Sequence, residues 1–295
     1  MIKLLITGAE GQLGRSFQAA LDGRKDFIAC AYNKAELDIT DAGAVEAAII
    51  KDRPDFLLNV AAYTLVDQAE VERVLAMQIN QAGTANLAQA CAANNIPIVH
   101  FSTDYVFDGS GNSLWSEIDS PSPLNLYGAS KLAGEREIQN ICDQYLIFRT
   151  SWLFSSFGSN FVKSMLRLGA QRTDLSVVND QIGKPTCTFE IVRLVLKILP
   201  RVNERWGLYH LAQPEAISWH GFAREIFAEA NRQGFELALE ELFAIGSADY
   251  PVSAVRPKNS QLDCTKLEAA FNVQINPWQQ SLSETLRVLQ SDGRI

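Results

Sequence analysis

Over its first half the chain alternates short apolar runs with longer stretches in which apolar residues recur every third or fourth position. The short runs are IKLLI, FIACA, DFLLNV, IPIVHF and YLIFRT; the longer ones are QLGRSFQAALDG, DAGAVEAAIIKD, NQAGTANLAQACAANN and LYGASKLAGEREIQN. A run of roughly four to eight apolar residues suits a strand buried on both faces, whereas the longer period gives a helix one apolar stripe. Their alternation predicts stacked βαβ units: an α/β fold with a doubly wound parallel sheet of Rossmann type and helices on both faces.

Beyond Thr150 the rhythm breaks. Helical NFVKSMLRLGA, short LSVVND, helical FEIVRLVLKIL, strand-like GLYHLA and helical WHGFAREIFAEANRQ follow with irregular links. The expected organisation is a dinucleotide-binding domain over 1–150 and a smaller α/β substrate domain over 151–295, with about 187–200 able to return to the first. FAIGSADYPVSAVRPKNSQLD is rich in turn formers and reads as a long functional loop.

Composition removes several classes of function. An apolar fraction of 47% with 20% charged residues over 295 positions belongs to a globular chain able to bury its own core. With 26 basic and 34 acidic residues the net charge is −8, and no Lys/Arg run exists to follow a phosphate backbone, so nucleic acid is not an expected partner. Five cysteines lie far apart without a CxxC pair and read as reduced thiols. The opening MIKLLITGAEG is too short in apolar length for a signal or a membrane span, which leaves a cytoplasmic address and no membrane as the expectation. The three histidines lack metal-ligand spacing; they read as structural, and no metal is expected.

Candidate chemistry begins where the first strand runs into TGAEGQLG. Gly8, Gly11 and Gly14 then precede a helix, the arrangement that lets a pyrophosphate approach backbone amides at a helix N-terminus. Where an acidic residue would meet the ribose of NAD at the end of the second strand, the chain has Tyr32, Asn33 and Lys34. Lys34 reads either as a partner for a 2′-phosphate or as a solvated charge; the cofactor expectation is NADPH or NADH, with NADPH mildly favoured. Asp38 and Ile39 are placed to border the adenine.

In LNLYGASKLAGE, Tyr127 and Lys131 stand at i and i+4 and share one helix face. A neighbouring ammonium favours phenolate, so the pair reads as a tuned acid/base. Thr103, at the end of HFSTDYVFDG, sits at a strand C-terminus, where such sheets edge the ligand crevice, and offers a hydroxyl to a substrate carbonyl.

With these pieces in order, the chain resembles the extended short-chain dehydrogenase/reductase superfamily. GAEGQLG, NVAAYTLVDQAE, STDYVFDG, PLNLYGASKLAGE, FRTSWLF, NDQIGKPT and RPKNSQLD together are similar to the dTDP-4-dehydrorhamnose reductase family within it, from Ile2 to about Leu282. The resemblance implies hydride transfer from the nicotinamide to the C4 carbonyl of dTDP-4-dehydro-L-rhamnose, giving dTDP-L-rhamnose. It implies that Tyr127 protonates the developing alkoxide, that Lys131 also holds the nicotinamide ribose, and that Thr103 orients the carbonyl. Gly11, Gln12 and Leu13 would meet the pyrophosphate, Ala62, Tyr63 and Thr64 would line the cofactor, and Val66, Asp104 and Trp152 would surround the nucleotide sugar. Trp152 also reads as interdomain core. Arg256 reads as a clamp for the substrate diphosphate or as a surface ion pair.

Some members of the family dimerise around a magnesium ion held by glutamates. Here Ser16 and Phe189 fall at two of those positions and the tail LRVLQSDGRI carries no glutamate. A monomer or weak homodimer without bridging magnesium is the expectation. Two rivals remain: a reductase of another nucleotide-linked hexulose, and a non-catalytic NADP-binding regulatory subunit of the same fold, which would not need Thr103, Tyr127 and Lys131 together. A dehydratase fits less well, because Tyr105 follows Asp104 where a glutamate would stand.

Overall fold

The computed structural model describes residues 1–291. Five strands, β1 (Ile2–Thr7), β2 (Phe27–Ala31), β3 (Phe56–Asn59), β4 (Ile98–Thr103) and β5 (Tyr145–Thr150), join Gly207–His210 in one six-stranded sheet. Every pairing in it is parallel, in the order β2-β1-β3-β4-β5 followed by Gly207–His210. The order reverses between β1 and β3, and in a doubly wound sheet that is where a crevice opens beyond the strand C-termini. Consecutive residues such as Leu4, Leu5 and Ile6, or Leu57 and Leu58, are all fully buried because helices cover both faces.

The two faces have different partners. Leu4, Ile6 and Phe101 pack with the helices Gln12–Leu21 and Thr188–Ile198, whereas Leu5, Leu57, Ile98 and Ile147 pack with Ala42–Asp52, Thr84–Ala93 and Leu126–Ile141. Ile191, Val192 and Val195, together with Leu267 and Phe271, share the core of the first face. The chain after Thr150 thus divides its side chains between this core and a second cluster. That second cluster gathers Phe154, Leu166, Leu175, Phe222, Trp278 and Leu286.

Two elements differ from the sequence pattern. The helix expected over NQAGTANLAQACAANN begins earlier, at Arg73, and passes through a π-helical turn, Gln78–Gly83, before Thr84–Ala93. Such single π-turns shift the helix register and recur at functional sites; here the turn carries the buried Asn80 toward Tyr63. The long loop is also partly ordered: Glu241–Ile245 pairs in parallel with Asp174–Val178, and Asn259–Ser260 pairs with Ile182–Gly183. Both pairings join segments too distant in sequence for any local period to reveal. All five cysteines are free thiols, and four of them are buried. Among the described residues no helix is long and apolar enough to cross a membrane.

Candidate active site

The turn after β1 has the form a dinucleotide requires. Gly8 has φ +65, and a Cβ there would lie 2.7 Å from the Ala61 backbone. A Cβ on Gly14 would lie 2.4 Å from the Gly8 carbonyl, so only glycine lets the helix press this close to the turn. Gly11 heads the helix Gln12–Leu21, and no side chain caps it. The first-turn amides, those of Gln12 and Leu13 among them, therefore face the crevice with the positive end of the helix dipole behind them, a fitting seat for a pyrophosphate. The Gln12 side chain turns away: its Oε1 accepts from Asn160 Nδ2 at 3.0 Å and Ser155 Oγ at 3.2 Å.

At the end of β2 the Tyr32 hydroxyl donates to Asp52 at 2.7 Å, and the Asn33 side chain accepts from the Ala35 and Glu36 amides. Lys34 is the exposed cation of this trio. Asp38 Oδ1 accepts from the Thr40 amide and hydroxyl, bonds that hold its pKa below the usual carboxylate range. Ile39 is buried, with its side chain against Gly83. Of the segment after β3, Ala62 is half-buried and Thr64 exposed, while Tyr63 lies buried with its hydroxyl donating to Glu72 at 2.7 Å.

The helix Leu126–Ile141 brings the YxxxK pair to the sheet. Asn125 caps it by accepting from the Gly128 amide at 2.8 Å, and two glycines permit its approach. A Cβ on Gly128 would lie 2.1 Å from the Tyr105 carbonyl, and one on Gly134 would lie 2.3 Å from the Asn80 carbonyl. Asn80, which sequence spacing did not single out, donates to Ser130 Oγ at 2.9 Å and to the Tyr63 carbonyl at 3.0 Å, tying this helix to the cofactor side.

Thr103 and Tyr127 meet. The phenol lies near the Thr103 hydroxyl, which itself donates to Asp104 Oδ1 at 3.1 Å and accepts from the Tyr105 amide. The Tyr105 ring stands edge-on to Tyr127 with centroids 5.6 Å apart. Burial pushes the Tyr127 pKa up to about 12, and the nearby Thr103 hydroxyl works against that rise. The sequence suggested a phenol acidified by Lys131, but the buried lysine turns its ammonium toward His100, with Nζ 3.3 Å from Nε2. Burial pulls the Lys131 pKa down to about 8, against the upward pull of Glu135. Below Lys131, Glu135 is bound bidentately by Arg149 and accepts from Ser102.

The expected substrate side is more open. A cavity of about 1300 Å³ is lined by Phe161, Arg167, Arg172, Trp219, Tyr250 and Arg256, among others. Arg256 Nη2 bonds Asp67 Oδ2 at 2.7 Å, while its Nε is buried without a partner. The arginine thus forms an ion pair and still directs one unsatisfied donor inward. Trp152 holds φ +49, unusual for a bulky residue, and stacks on Trp219 at 3.5 Å between ring centroids. Gly183 closes the other side, where a Cβ would lie 2.3 Å from the indole. Trp219, not singled out by sequence, lines the cavity; Val66 stands half-buried beside Asp67. Asp104 is buried, and its Oδ2 has no partner; burial pushes its pKa up to about 6, against the downward pull of the nearby Ser260 and Thr103 hydroxyls. The Ser16 hydroxyl lies 2.6 Å from that of Thr188, and Phe189 packs on Phe157. Among the described residues no three His, Cys, Asp or Glu side chains gather as a metal site, and the last four residues of the tail, 292–295, lie outside those described.

Comparison with known proteins gives one answer. A family model described as the RmlD substrate binding domain matches residues 2–291. The dTDP-4-dehydrorhamnose reductase of Aggregatibacter actinomycetemcomitans is 43% identical over 286 residues, covering 96% of this chain and 97% of that protein. Its counterpart in Salmonella typhimurium LT2 is 40% identical, with 97% of each chain covered. The crystal structure of the Bacillus anthracis dTDP-4-dehydrorhamnose reductase in complex with NADP superposes with a TM-score of 0.91 at 37% identity, over 96% of this chain and 98% of that one.

Proposed function

This chain belongs to the RmlD family of dTDP-4-dehydrorhamnose reductases, and from that premise we propose which of its residues carry the reaction. The reaction is NAD(P)H-dependent reduction of the C4 keto group of dTDP-4-dehydro-L-rhamnose to dTDP-L-rhamnose, in dTDP-rhamnose synthesis. NADPH or NADH serves, with a mild preference for NADPH. The observation that carries the residue assignment is the approach of the Thr103 hydroxyl, at the C-terminal edge of β4, to the Tyr127 phenol, with Lys131 one helical turn away.

The reduced nicotinamide supplies the hydride when bound. Its pyrophosphate would be held by the amides of Gly11, Gln12 and Leu13, with Gly8 and Gly14 giving the turn its shape; Asp38 and Ile39 would border the adenine, and Ala62, Tyr63 and Thr64 would line the cofactor. A phenol with a pKa near 12 keeps its proton at neutral pH, which is the state an acid needs in the reducing direction. Tyr127 passes that proton to the oxygen developing at C4. Thr103, near the phenol, aligns the same oxygen, and the Lys131 ammonium would hold the nicotinamide ribose on the helix face it shares with Tyr127. Val66, Asp104 and Trp152 enclose the sugar, and Arg256 clamps the diphosphate with donors of which Asp67 takes only part. The smaller cluster around Phe154 and Phe222 forms the substrate-side unit, and the protein acts in the cytoplasm as a monomer or weak homodimer without bridging magnesium.

Tyr127→Phe tests the assignment. Turnover should fall roughly a hundredfold or more, the scale of one general acid, while NADPH titration of the variant stays unchanged. Full turnover in that variant would remove Tyr127 as the proton donor. Lys131→Met should weaken cofactor binding and turnover together.

A further inference from the structure

Behind the catalytic helix, the central sheet carries polar residues where its neighbours are apolar. Thr7, Asn59 and His100 lie directly opposite one another across β1, β3 and β4, in register Thr7↔Asn59↔His100. Register partners in a parallel sheet project to one face, here the face on which Leu5, Leu57 and Ile98 pack under Leu126–Ile141. All three polar residues are buried, His100 completely. They are bonded in series: Thr7 Oγ1 to Asn59 Oδ1 at 3.0 Å, Asn59 Nδ2 to His100 Nδ1 at 3.0 Å, and His100 Nε2 to Lys131 Nζ at 3.3 Å. Thr84 Oγ1 lies 3.4 Å from Asn59 Nδ2. A buried polar row in an apolar sheet costs desolvation at every member, and this row ends on the lysine ammonium.

Proton accounting fixes the roles. An ammonium only donates, so His100 Nε2 must be the bare nitrogen and Nδ1 must carry the ring proton. Nδ1–H then needs an acceptor. The Asn59 amide supplies one with its oxygen turned to His100 and its NH2 to Thr7, since the two ends of an amide are assigned by their partners. The row cannot relay protons, because an amide blocks it; it can only hold a tautomer. Its other surroundings agree. Glu135, the nearest carboxylate on the lysine's own helix, is engaged by Arg149 of β5 and Ser102 of β4, and Tyr127 one turn back lies near Thr103. Among the described residues His100 is the one hydrogen-bond acceptor of Lys131.

We propose that His100 is a positioning residue for the reduction: a permanently neutral imidazole whose bare Nε2 anchors the Lys131 ammonium, with Asn59 and Thr7 locking the tautomer. This rests on the catalytic reading of Lys131 and deepens it. Burial and the adjacent ammonium both hold the His100 pKa well below the ordinary histidine value, so the ring stays an acceptor across the working pH range. The lysine then loses its charge, and its hold on the cofactor ribose, only as pH climbs through its own pKa.

The test uses the whole protein labelled with 15N at histidine. Only three histidines occur in the chain, so His100→Gln assigns the His100 signals by their loss. The expected spectrum shows a neutral Nδ1–H ring that does not titrate between about pH 5 and 9, a span around the ordinary histidine value. An Nε2–H ring, or an imidazolium forming near pH 6.5, would overturn the proposal. In parallel, NADPH affinity is followed against pH. His100→Phe, which removes the acceptor, should move the alkaline loss of affinity downward by about one pH unit, because an ammonium stripped of its partner in a buried site gives up its proton more readily. His100→Gln, whose amide oxygen reaches the same place, should restore most of the shift. An unmoved limb in His100→Phe contradicts the anchor. A Lys131→Met protein that binds and turns over as the parent does would instead sink the reading of Lys131 itself, so the two failures are told apart.

Discussion

The surroundings of Thr103, Tyr127 and Lys131 and those of the cavity, the two walls of the proposed site, are built to different standards. On the proposed reaction side, Thr103, Tyr127 and Lys131 ride on a central strand and a helix pressed against it by two glycines; Thr103 and Lys131 have hydrogen-bond partners inside the protein, and the Tyr127 ring meets that of Tyr105 edge-on. On the substrate side, a cavity of about 1300 Å³ is lined by charged and aromatic side chains, several on the segment beyond Ile245. Two ion pairs make the contrast concrete. Arg149–Glu135 and Arg256–Asp67 both close at 2.7 Å, but the first pair exposes 4% and 1% of its side chains and the second 27% and 42%. Equal geometry in unequal solvent has unequal consequences. The buried pair holds the helix Leu126–Ile141 on the sheet, while the exposed one leaves its arginine partly in solvent. Under the proposed function, rigid placement would serve proton transfer and a looser wall recognition of a large, charged substrate.

Changes on each wall should expose this difference. The largest effect belongs to Glu135→Gln, which strands the Arg149 guanidinium in the interior: a loss of about 3–5 kcal/mol in urea unfolding. A loss below about 1 kcal/mol would mean that the pair is not structural. Next is Asp104→Asn. Burial raises the Asp104 pKa from 3.8 to about 6, so the folded protein holds a proton that the unfolded chain has released, and stability falls as pH climbs through that window. Asn cannot ionise. The variant should gain about 3 kcal/mol relative to the parent between roughly pH 4 and 7, and parallel pH profiles would contradict the assignment. Gly183→Ala should displace the Trp152–Trp219 stack and raise KM for the nucleotide sugar roughly tenfold, with cofactor affinity kept, on the scale of about 1–3 kcal/mol for overpacking. A change in cofactor affinity instead would move the indole pair to the other wall. The smallest effect is that of Asp67→Asn, which should cost less than about 1 kcal/mol in stability, as exposed pairs do.

The same contrast decides what the sequence could reveal. Gly8, Gly11 and Gly14 and the Tyr127–Lys131 spacing are local patterns whose geometry follows from one turn or one helix, so they were legible without the fold. Thr103 was legible because a strand end in this topology points at the crevice. His100 was not: alternation within one strand makes it a core residue, and its function depends on Thr7 and Asn59 arriving in register from two other strands. Asn80 was hidden by a π-turn that no periodicity signals, and the Asp67–Arg256 pair joins residues 189 positions apart. Trp152 was open to two readings because its backbone strain and its stack on Trp219 appear only in three dimensions. Likewise, the effect of Lys131 on Tyr127 depended on where the ammonium points, which spacing on a helix leaves free.

The most direct test supplies the purified protein with dTDP-4-dehydro-L-rhamnose and follows nicotinamide absorbance with NADPH and NADH in separate runs, identifying the sugar nucleotide at the end. Oxidation of the cofactor matched mole for mole by dTDP-L-rhamnose, faster with NADPH and lost in Tyr127→Phe, is the result this account predicts. Cofactor binding without reduction of this keto sugar, or reduction that survives the loss of the phenol, would contradict it.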